Sequence, residues 1–383
     1  MQAGPVRQDL TRDIRIDCLR GLAILSVLVL HFQLAYNLLK SPLGRLLPAP
    51  YLSNLVWNGN HGVTVFFAIS GYLITSTSLR RFGSLSGVSA KVFYAYRFAR
   101  IVPCLALVLA VISGLAAAGV SIFRDEGVVP LWLADLSVLT FWHNILMAKF
   151  GYFNYCLNIF WSLSVEEVFY LAFPVLCLVL RRTRWVMLVW LAAIVGGPIY
   201  RSMHSHNEIQ FLYGNLACFD AIAMGCVTAV TADKVRVRGW ARNAMQAMAL
   251  VGMLVVYLSA GIDSVPVWGT SLMAAGAAMF LLAEGAGRYI DRNRPRRGWR
   301  ARMAIPLSWF GRHSYELYLF HIVLLALMRT VFRPHAMSPE AKPLALLLFL
   351  GLSAGIAWVI TRWYSEPFNR GLRAMLVGRT GTA

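Results

Sequence analysis

The chain has 383 residues, of which 58% are hydrophobic and only 14% are charged. A mean hydropathy of +0.60 excludes a soluble globular protein of this length and predicts a protein that crosses a membrane several times. The apolar runs are helix-length and lack the apolar/polar alternation of an outer-membrane barrel, so the predicted fold class is an all-α helical bundle. We assign the formal net charge of +19 to membrane topology and predict no nucleic-acid partner.

Ten membrane-spanning helices are predicted. They cover residues 16–36, 60–79, 101–119, 160–180, 185–201, 214–231, 243–261, 267–285, 306–329 and 343–363. A further apolar stretch, 131–147, is assigned to the membrane interface or to a re-entrant segment, because a crossing there would place the later basic clusters outside. The basic clusters, including Arg12 and the loop 292–297, then lie in the cytoplasm with both termini. The loop is interpreted as a topology signal, although its arginines would also suit a phosphate or a lipid head group.

The whole chain, 1–383, is interpreted as one integral-membrane domain, and the short segment after the last predicted span leaves no room for an appended soluble domain. Arg7, Arg12 and Arg15 precede the first apolar run as in a signal peptide, but Arg20 shortens that run, so we predict a retained span. The six cysteines lack the paired spacing of a zinc site. Neither a metal site nor a disulfide framework is therefore expected.

One helix face of the first predicted span carries ionisable residues near both of its ends. Asp17, Arg20, Ile24, Val27 and His31 are spaced for a single stripe, and the step from Arg20 to His31 corresponds to about 16 Å. Ionisable groups inside an apolar span are costly unless they are paired or used, which makes Arg20 and His31 functional candidates. For Arg20, snorkelling to the inner surface or pairing with Asp17 is an equally good interpretation.

Ionisable residues of three predicted spans lie at similar depth in the outer half of the membrane. Counting helix rise from the predicted span ends places His31, Glu166, Glu167 and His321 in one layer. A carboxylate beside an imidazole stabilises the charged form of the ring and fixes its tautomer, as a general base requires. The sequence therefore favours a general-base site in this layer.

Alternatives remain for these residues. His321 is also typical of a helix-packing histidine, and the two glutamates would also suit the acidic first turn of a helix at the interface. Adjacent glutamates point about 100° apart, so Glu166 and Glu167 cannot serve one site equally. Glu166 shares its helix face with Ser162, and His321 shares one with Tyr318.

Two shorter patterns complete the candidate site. Arg97 and Arg100 lie on one helix face at the predicted cytoplasmic surface, a spacing that suits bidentate phosphate contacts and that positive-inside topology would also explain. Ala68 and Gly71 in the second span are small enough to permit close backbone approach between helices.

Six segments of the chain together resemble acyltransferase family 3, the bacterial integral-membrane O-acyltransferases that modify surface polysaccharides, lipopolysaccharide and some secreted glycosides. The segments are Arg20 with His31, Phe66 to Ile74, Arg97 with Arg100 before Pro103, Trp161 to Glu167, Ser314 to His321, and Ser365-Glu366-Pro367. They follow the family's order over nearly the whole chain. Val168 departs from the family, which often has Gln at that place.

The resemblance implies an enzyme that moves an acyl group, expected to be acetyl, from cytoplasmic acyl-CoA to a hydroxyl of a carbohydrate or lipid-linked glycan. It implies phosphate contacts at Arg97 and Arg100, His31 as general base with Glu166 orienting its imidazole, and Arg20 near the donor. Direct transfer and an acyl-histidine intermediate both stay open. Supporting roles are expected for Asp17, Ser162, Glu167, Tyr318 and His321. The expected location is the bacterial inner membrane, with lipids around the bundle.

A proton-coupled transporter or flippase is the alternative function, because it would also place His, Glu and Arg inside a helical bundle. Such proteins often carry inverted repeats and broken helices in corresponding halves. The sequence shows neither pattern, which favours the acyltransferase interpretation.

Overall fold

The computed structural model describes residues 13–45, 48–124, 127–232, 234–235, 237, 239–285 and 299–378. Within these ranges the chain forms helices and no β-strand, which confirms the predicted all-α fold class. Arg12 and the basic loop 292–297, which the sequence assigns to the cytoplasmic side, lie outside the described residues.

Sixteen α-helices are described. In chain order they are α1 (Ile14–Tyr36), α2 (Ala49–Trp57), α3 (Asn60–Phe82), α4 (Ala90–Ala117), α5 (Leu131–Leu139), α6 (His143–Phe150), α7 (Trp161–Leu180), α8 (Thr183–Met203), α9 (Glu208–Tyr213), α10 (Asn215–Ala232), α11 (Gly239–Ser259), α12 (Gly269–Gly285), α13 (Trp299–Arg312), α14 (Ser314–Val331), α15 (Ala341–Ile360) and α16 (Glu366–Val377). A π-helical turn, Thr361–Ser365, joins α15 to α16.

Nine helical segments in the described part of the chain are long and apolar enough to cross a membrane. They correspond to nine of the ten predicted spans. The remaining predicted span, 267–285, corresponds to α12, a shorter apolar helix of 17 residues, or about 26 Å. The predicted span 306–329 is divided at His313 into α13 and α14, so its crossing segment is Ser314–Val331.

The apolar stretch 131–147 does not cross the bundle. It forms α5 and α6, of 9 and 8 residues, which are too short to span a membrane. The two helices are joined by a turn in which Phe141 adopts a left-handed backbone conformation with φ of 64°. The structure thus confirms that this stretch is not an eleventh span.

Glycines permit close contact between the central helices. A Cβ added at Gly71 of α3 would lie 1.9 Å from the Ile222 carbonyl oxygen of α10, and one added at Gly225 would lie 2.0 Å from the Ala68 carbonyl oxygen. Only a residue without a Cβ fits at such distances. The close backbone approach predicted at Ala68 and Gly71 is confirmed.

The helix α1 packs against α3, α13 and α14 and supplies residues to both cavities described below. A Cβ at Gly21 would lie 2.0 Å from the Leu307 carbonyl oxygen, so α1 and α13 also touch through their backbones. We call the end of the bundle that carries Asp13, the N-cap of α1, the inner end, and the end that carries Tyr36 the outer end. The predicted topology places the inner end in the cytoplasm.

A buried ion pair joins α8, α10 and α12. Nη2 of Arg201 lies 2.7 Å from Oδ2 of Asp220, and both side chains are almost completely buried. Arg201 also donates hydrogen bonds to Ser271 and to the carbonyl oxygens of Ala217 and Val267. Because the polar groups of this pair are so well satisfied, the cluster holds the three helices together despite the cost of burying charge.

Candidate active site

An inner cavity of about 400 Å³ is cationic. Its walls come from α1, α3, α4, α7, α14 and α16. The charged side chains that line it are those of Arg20, Arg81, Arg97, Arg100, Arg373 and Glu166. Five guanidinium groups against one carboxylate give this cavity a field that attracts anionic ligands.

The predicted arginine pair of α4 lines the inner cavity. Arg97 and Arg100 both face it, and Cζ of Arg97 lies 3.7 Å from the centroid of the Tyr170 ring on α7. A guanidinium over the face of an aromatic ring is attracted to that face, which restricts where its N–H groups can lie. The pair is therefore placed where it could contact phosphate oxygens.

Asp17 and Arg20 lie one turn apart on α1, and both side chains have partners on the helices α13 and α14. Nη2 of Arg20 donates a hydrogen bond of 2.8 Å to Oγ of Ser314. The buried carboxylate of Asp17 lies 3.5 Å from Nε of Arg312. Arg20 thus lines the inner cavity, and Asp17 contributes to the contact between α1 and α13.

The two adjacent glutamates of α7 face different surroundings. Glu166 lines the inner cavity and accepts hydrogen bonds from Ser70 and Tyr170. Glu167 is buried, and its Oε1 has no hydrogen-bond partner among the described residues. The divergence of neighbouring side chains on a helix explains this difference, and Ser70 is a contact that sequence reasoning missed.

An outer cavity of about 500 Å³ has aromatic and amide walls. Besides His31, its polar and aromatic lining residues are Trp57, Asn58, Asn60, Tyr152, Tyr155, Asn158, Trp161, Glu208, Tyr213 and Tyr318. The Tyr152 hydroxyl donates to Oε1 of Glu208 at 3.1 Å and lies 2.9 Å from the Tyr213 hydroxyl. Burial, with Tyr213 and Glu208 nearby, raises the pKa of Tyr152, which therefore stays a neutral hydroxyl.

The tautomer of His31 follows from its hydrogen bond. Nδ1 of His31 lies 2.8 Å from the Val27 carbonyl oxygen. A carbonyl oxygen only accepts, so Nδ1 carries the hydrogen and Nε2 of the neutral ring keeps its lone pair. His31 lines the outer cavity, and this tautomer of the neutral ring has the unprotonated Nε2 that a general base needs.

A second imidazole lies against His31. The ring centroids of His31 and His321 are 4.8 Å apart in an edge-to-face arrangement. Nδ1 of His321 lies 2.8 Å from the Tyr318 carbonyl oxygen and 3.0 Å from that of Leu317, which fixes the same tautomer. Nε2 of His321 is buried and has no partner in the described ranges. The structure thus brings together the two histidines that the sequence places in one layer.

Tyr318 lies between the two cavities. Its hydroxyl donates to the Ile159 carbonyl oxygen at 2.7 Å and lies 2.6 Å from Oγ of Ser162. Tyr318 and Val63 line both the inner and the outer cavity. These side chains are therefore part of the wall that separates the cationic cavity from the aromatic one.

The predicted single layer of ionisable groups holds for the two histidines, which contact each other, and is wrong for Glu166. The Ser162–Tyr318 contact sets α7 and α14 at a common level. Glu166 lies four residues inward of Ser162, about 6 Å, and His321 lies three residues outward of Tyr318, about 4.5 Å. Glu166 and the histidine pair are thus about 10 Å apart along the bundle axis.

The error comes from the assumption that every span starts at the membrane surface. The His143 N–H at the start of α6 donates to Oγ of Ser164, so residues before α7 lie beside its first turn rather than outside it. Glu166 is therefore deeper than the count predicts. It does not orient His31, because its partners are Ser70 and Tyr170 and the Val27 carbonyl oxygen holds the His31 ring.

Other cavity residues carry weak signals in the sequence. Arg81 and Arg373 both line the inner cavity, whereas their positions in the sequence indicate only cytoplasmic topology signals. The aromatic side chains of the outer cavity come from α2, α7, α9, α14 and the segment between α6 and α7. Such distant segments show no common spacing, so only the fold reveals that they line one cavity.

The family follows from a comparison with protein-family models. The model described as the acyltransferase domain of acyltransferase family 3 matches residues 13–362. The chain belongs to acyltransferase family 3. This confirms the resemblance carried by the six sequence segments. No solved structure gave a significant match to the chain.

Two curated proteins of Staphylococcus aureus are similar to this family member. "Putative O-acetyltransferase SACOL0978" of strain COL is 21% identical over 398 residues, which cover 94% of this chain and 58% of the relative. "O-acetyltransferase OatA" of strain NCTC 8325 is 21% identical over 385 residues, which cover 93% of this chain and 57% of the relative. The chain thus spans less than two thirds of the length of these relatives.

Proposed function

We propose that this acyltransferase family 3 member is a membrane O-acetyltransferase. It would take acetyl-CoA from the cytoplasm and acetylate a hydroxyl of a carbohydrate, such as lipopolysaccharide, exopolysaccharide or a glycoside, at the bacterial inner membrane. The family and the names of the relatives support the reaction class. The observation that carries the proposal is a cationic inner cavity and an aromatic outer cavity that share Tyr318 and Val63 in their walls.

The inner cavity suits the donor. Arg97 and Arg100 would bind the diphosphate of acetyl-CoA, since guanidinium groups make paired hydrogen bonds to phosphate oxygens. The ring that holds Arg97 belongs to Tyr170, eight residues inward of Ser162, so it lies about 16 Å from the level of His321. An extended pantetheine arm reaches a distance of this order, which would bring the thioester past Arg20 to Tyr318.

The outer cavity suits the acceptor. Sugar rings have apolar faces that pack on aromatic side chains and hydroxyl groups that pair with amides and carboxylates. Trp57 and Trp161 provide aromatic surfaces, and Asn158 and Glu208 provide hydrogen-bonding groups in the same cavity. This chemistry supports a carbohydrate or lipid-linked glycan as acceptor.

The proposed reaction uses Nε2 of His31 as the general base. The acceptor hydroxyl gives its proton to Nε2 while its oxygen attacks the thioester carbonyl carbon. The carbon–sulfur bond then breaks, and the imidazolium returns the proton to the leaving thiolate. The Val27 carbonyl oxygen keeps the hydrogen on Nδ1 throughout. In the acyl-histidine alternative, Nε2 itself attacks the thioester carbonyl carbon, and the carbon–sulfur bond breaks to release the thiolate. The acceptor oxygen then attacks the acyl carbon, the bond from that carbon to Nε2 breaks, and the acceptor proton passes to the thiolate.

The test is transfer of isotope-labelled acetyl from acetyl-CoA by the purified protein in nanodiscs to surface polysaccharide from cells that lack the chain. Mass spectrometry should show a defined acetyl mass on the glycan. His31→Ala should lower the rate about 10²–10⁴-fold. His335→Ala, at an exposed histidine between α14 and α15, is the matched control and should transfer at the wild-type rate.

Full transfer by a folded His31→Ala variant would remove His31 as the base. Absence of transfer by the wild type with every acceptor tested would favour the transporter or flippase interpretation. A rapid burst of thiol release that equals the enzyme concentration would support the acyl-histidine route, and a linear release would support direct transfer.

A further inference from the structure

A second cationic group lies at the mouth of the inner cavity. Arg81 at the end of α3 and Arg373 of α16 both have their guanidinium groups over the ring of Tyr96, with Cζ 3.7 Å and 4.9 Å from its centroid. All three side chains line the inner cavity. We propose that this group, the Arg81–Tyr96–Arg373 clamp, binds the phosphate monoester on the ribose of the nucleotide part of acyl-CoA. The inference rests on the proposed function, since it assumes a coenzyme A donor.

The clamp places two positive charges close together, and a bound anion would reduce the repulsion between them. Two guanidinium groups that share one ring repel each other, and the cation–π contacts with Tyr96 offset only part of that repulsion. Glu166 is the only carboxylate among the described residues that line the cavity, and it is engaged by Ser70 and Tyr170. A phosphate monoester carries about −1.5 to −2 charges at pH 7 and accepts several charge-assisted hydrogen bonds.

The clamp lies farther from the histidine pair than the arginines assigned to the diphosphate. The backbone of Arg81, eleven residues beyond Ser70 on α3, is about 16 Å farther toward the inner end. The guanidinium groups of the clamp lie over Tyr96, which precedes Arg97 and Arg100 on α4 and is therefore nearer the inner end than either arginine by about 1.5 Å and 6 Å of helix rise. Ser70 contacts Glu166, and Arg97 contacts Tyr170 one turn farther in on the same helix. The order along the cavity is therefore histidine pair, diphosphate arginines and clamp. Coenzyme A carries its thiol, its diphosphate and its ribose phosphate in this same order.

Specific contacts direct α16 across the cavity mouth. At the π-helical turn before α16, Oγ of Ser365 donates to Oε1 of buried Glu316 at 2.6 Å. The adjacent Tyr364 hydroxyl donates to the Pro103 carbonyl oxygen at 3.2 Å, and α16 then packs along α4, the helix that carries Tyr96. These two anchors fix where the chain enters α16. These contacts place α16 so that its Arg373 lies over the cavity.

The decisive comparison uses two acetyl donors. Arg373→Gln removes one guanidinium, so the KM for acetyl-CoA should rise about tenfold, as expected for the loss of a hydrogen bond to a charged group. The KM for S-acetyl-pantetheine, which has no nucleotide, should stay unchanged, and so should kcat for both donors. Arg370→Gln is the matched control, because Arg370 lies on the same helix and does not line the cavity.

Acetyl-dephospho-CoA, which lacks the ribose phosphate, tests whether Arg373 contacts that phosphate. The wild type should bind this donor about tenfold more weakly than acetyl-CoA, and Arg373→Gln should bind it no more weakly than the wild type does. Calorimetric titration of coenzyme A into the nanodisc protein should show the same loss for Arg373→Gln without any turnover. Ser365→Ala should show the donor-specific effect in weaker form, since Ser365 positions α16 and contacts no donor in this scheme.

Three results would overturn the clamp. An equal rise in KM for acetyl-CoA and S-acetyl-pantetheine would show that Arg373 supports only the protein structure. An effect that vanishes in nanodiscs without anionic lipid would assign the clamp to a lipid head group. If Arg373→Gln transferred acetyl at the wild-type rate with an unchanged KM for acetyl-CoA, a contact between Arg373 and the donor would be excluded. If the wild-type protein itself transferred no acetyl, the proposed function would be refuted instead.

Discussion

Glu166→Gln separates the role that the structure allows for Glu166 from the role that the sequence predicts. The amide keeps an oxygen that accepts hydrogen bonds from Ser70 and Tyr170, so the local contacts of Glu166 should survive. The substitution removes the negative charge from a cavity lined by five arginines. If Glu166 acts only in the inner cavity, the substitution should change the KM for an anionic donor and leave the rate of proton transfer at His31 nearly unchanged.

The separation of the two sites sets the magnitude. At about 10 Å and an effective dielectric constant of about 20, a carboxylate and an imidazolium interact by about 1.7 kcal/mol, so the turnover rate should fall by no more than about 20-fold. A carboxylate in direct contact with a catalytic histidine is worth about 10⁴-fold when it is replaced by its amide. Loss of the charge beside the arginines should lower the KM for acetyl-CoA by about two- to fivefold, because like charge no longer repels the phosphates.

The assay is steady-state acetyl transfer in nanodiscs, with kcat and KM determined separately for Glu166→Gln and for Glu340→Gln, an exposed control next to α15. The control should match the wild type in both constants. If a folded Glu166→Gln variant turned over about a thousandfold more slowly or worse, with an unchanged KM, the separation of Glu166 from the histidine pair would be refuted. Such a result would restore Glu166 as the residue that orients His31.

Three further substitutions test the scaffold through thermal unfolding in detergent. Gly225→Ala should destabilise the protein by about 1–3 kcal/mol, because the new Cβ would lie 2.0 Å from a carbonyl oxygen, whereas Gly252→Ala, with open space around it, should not destabilise it. Asp220→Asn should cost about 3–5 kcal/mol by leaving Arg201 buried without its charge partner, and an unchanged Tm would show that the pair is dispensable. Burial lowers the pKa of His143 to about 4 from 6.5, so stability should fall by up to about 3 kcal/mol as the pH drops from 6.5 to 4, and His143→Phe should flatten that dependence.

The sequence predicts the spans well because their signal is local. Length and apolar content suffice to locate a helix that crosses a membrane, and the basic clusters decide against a crossing at 131–147. The division of 306–329 at His313 escapes the prediction, because both halves are helical and the nearest glycine and proline, Gly311 and Pro306, lie inside α13 rather than at the break. The close approach at Gly71 was readable from residue size alone.

The site is only partly readable for a related reason. The spacing of Arg20 and His31 lies within one helix, so helix periodicity places both on one face. The relative height of Glu166 depends on how deep α7 starts, which the fold of residues 143–160 decides. Arg373 reaches the cavity only because a π-helical turn and its two anchors direct α16. Neither the depth of Glu166 nor the position of Arg373 can be predicted from composition or spacing.

The arrangement of α1 explains why both cavities depend on this one helix. Arg15 at its inner end donates to Gln246 and Glu284 at 2.7 and 2.9 Å, and Tyr36 at its outer end donates to the Phe332 carbonyl oxygen at 3.0 Å. A helix held at both ends and pressed against α13 at Gly21 cannot slide along the bundle axis without breaking these contacts. The distance between Arg20 on the inner cavity and His31 on the outer cavity is therefore set by the helix itself. A donor thioester and an acceptor hydroxyl that meet near Tyr318, in the wall that the two cavities share, would be aligned by a single rigid element.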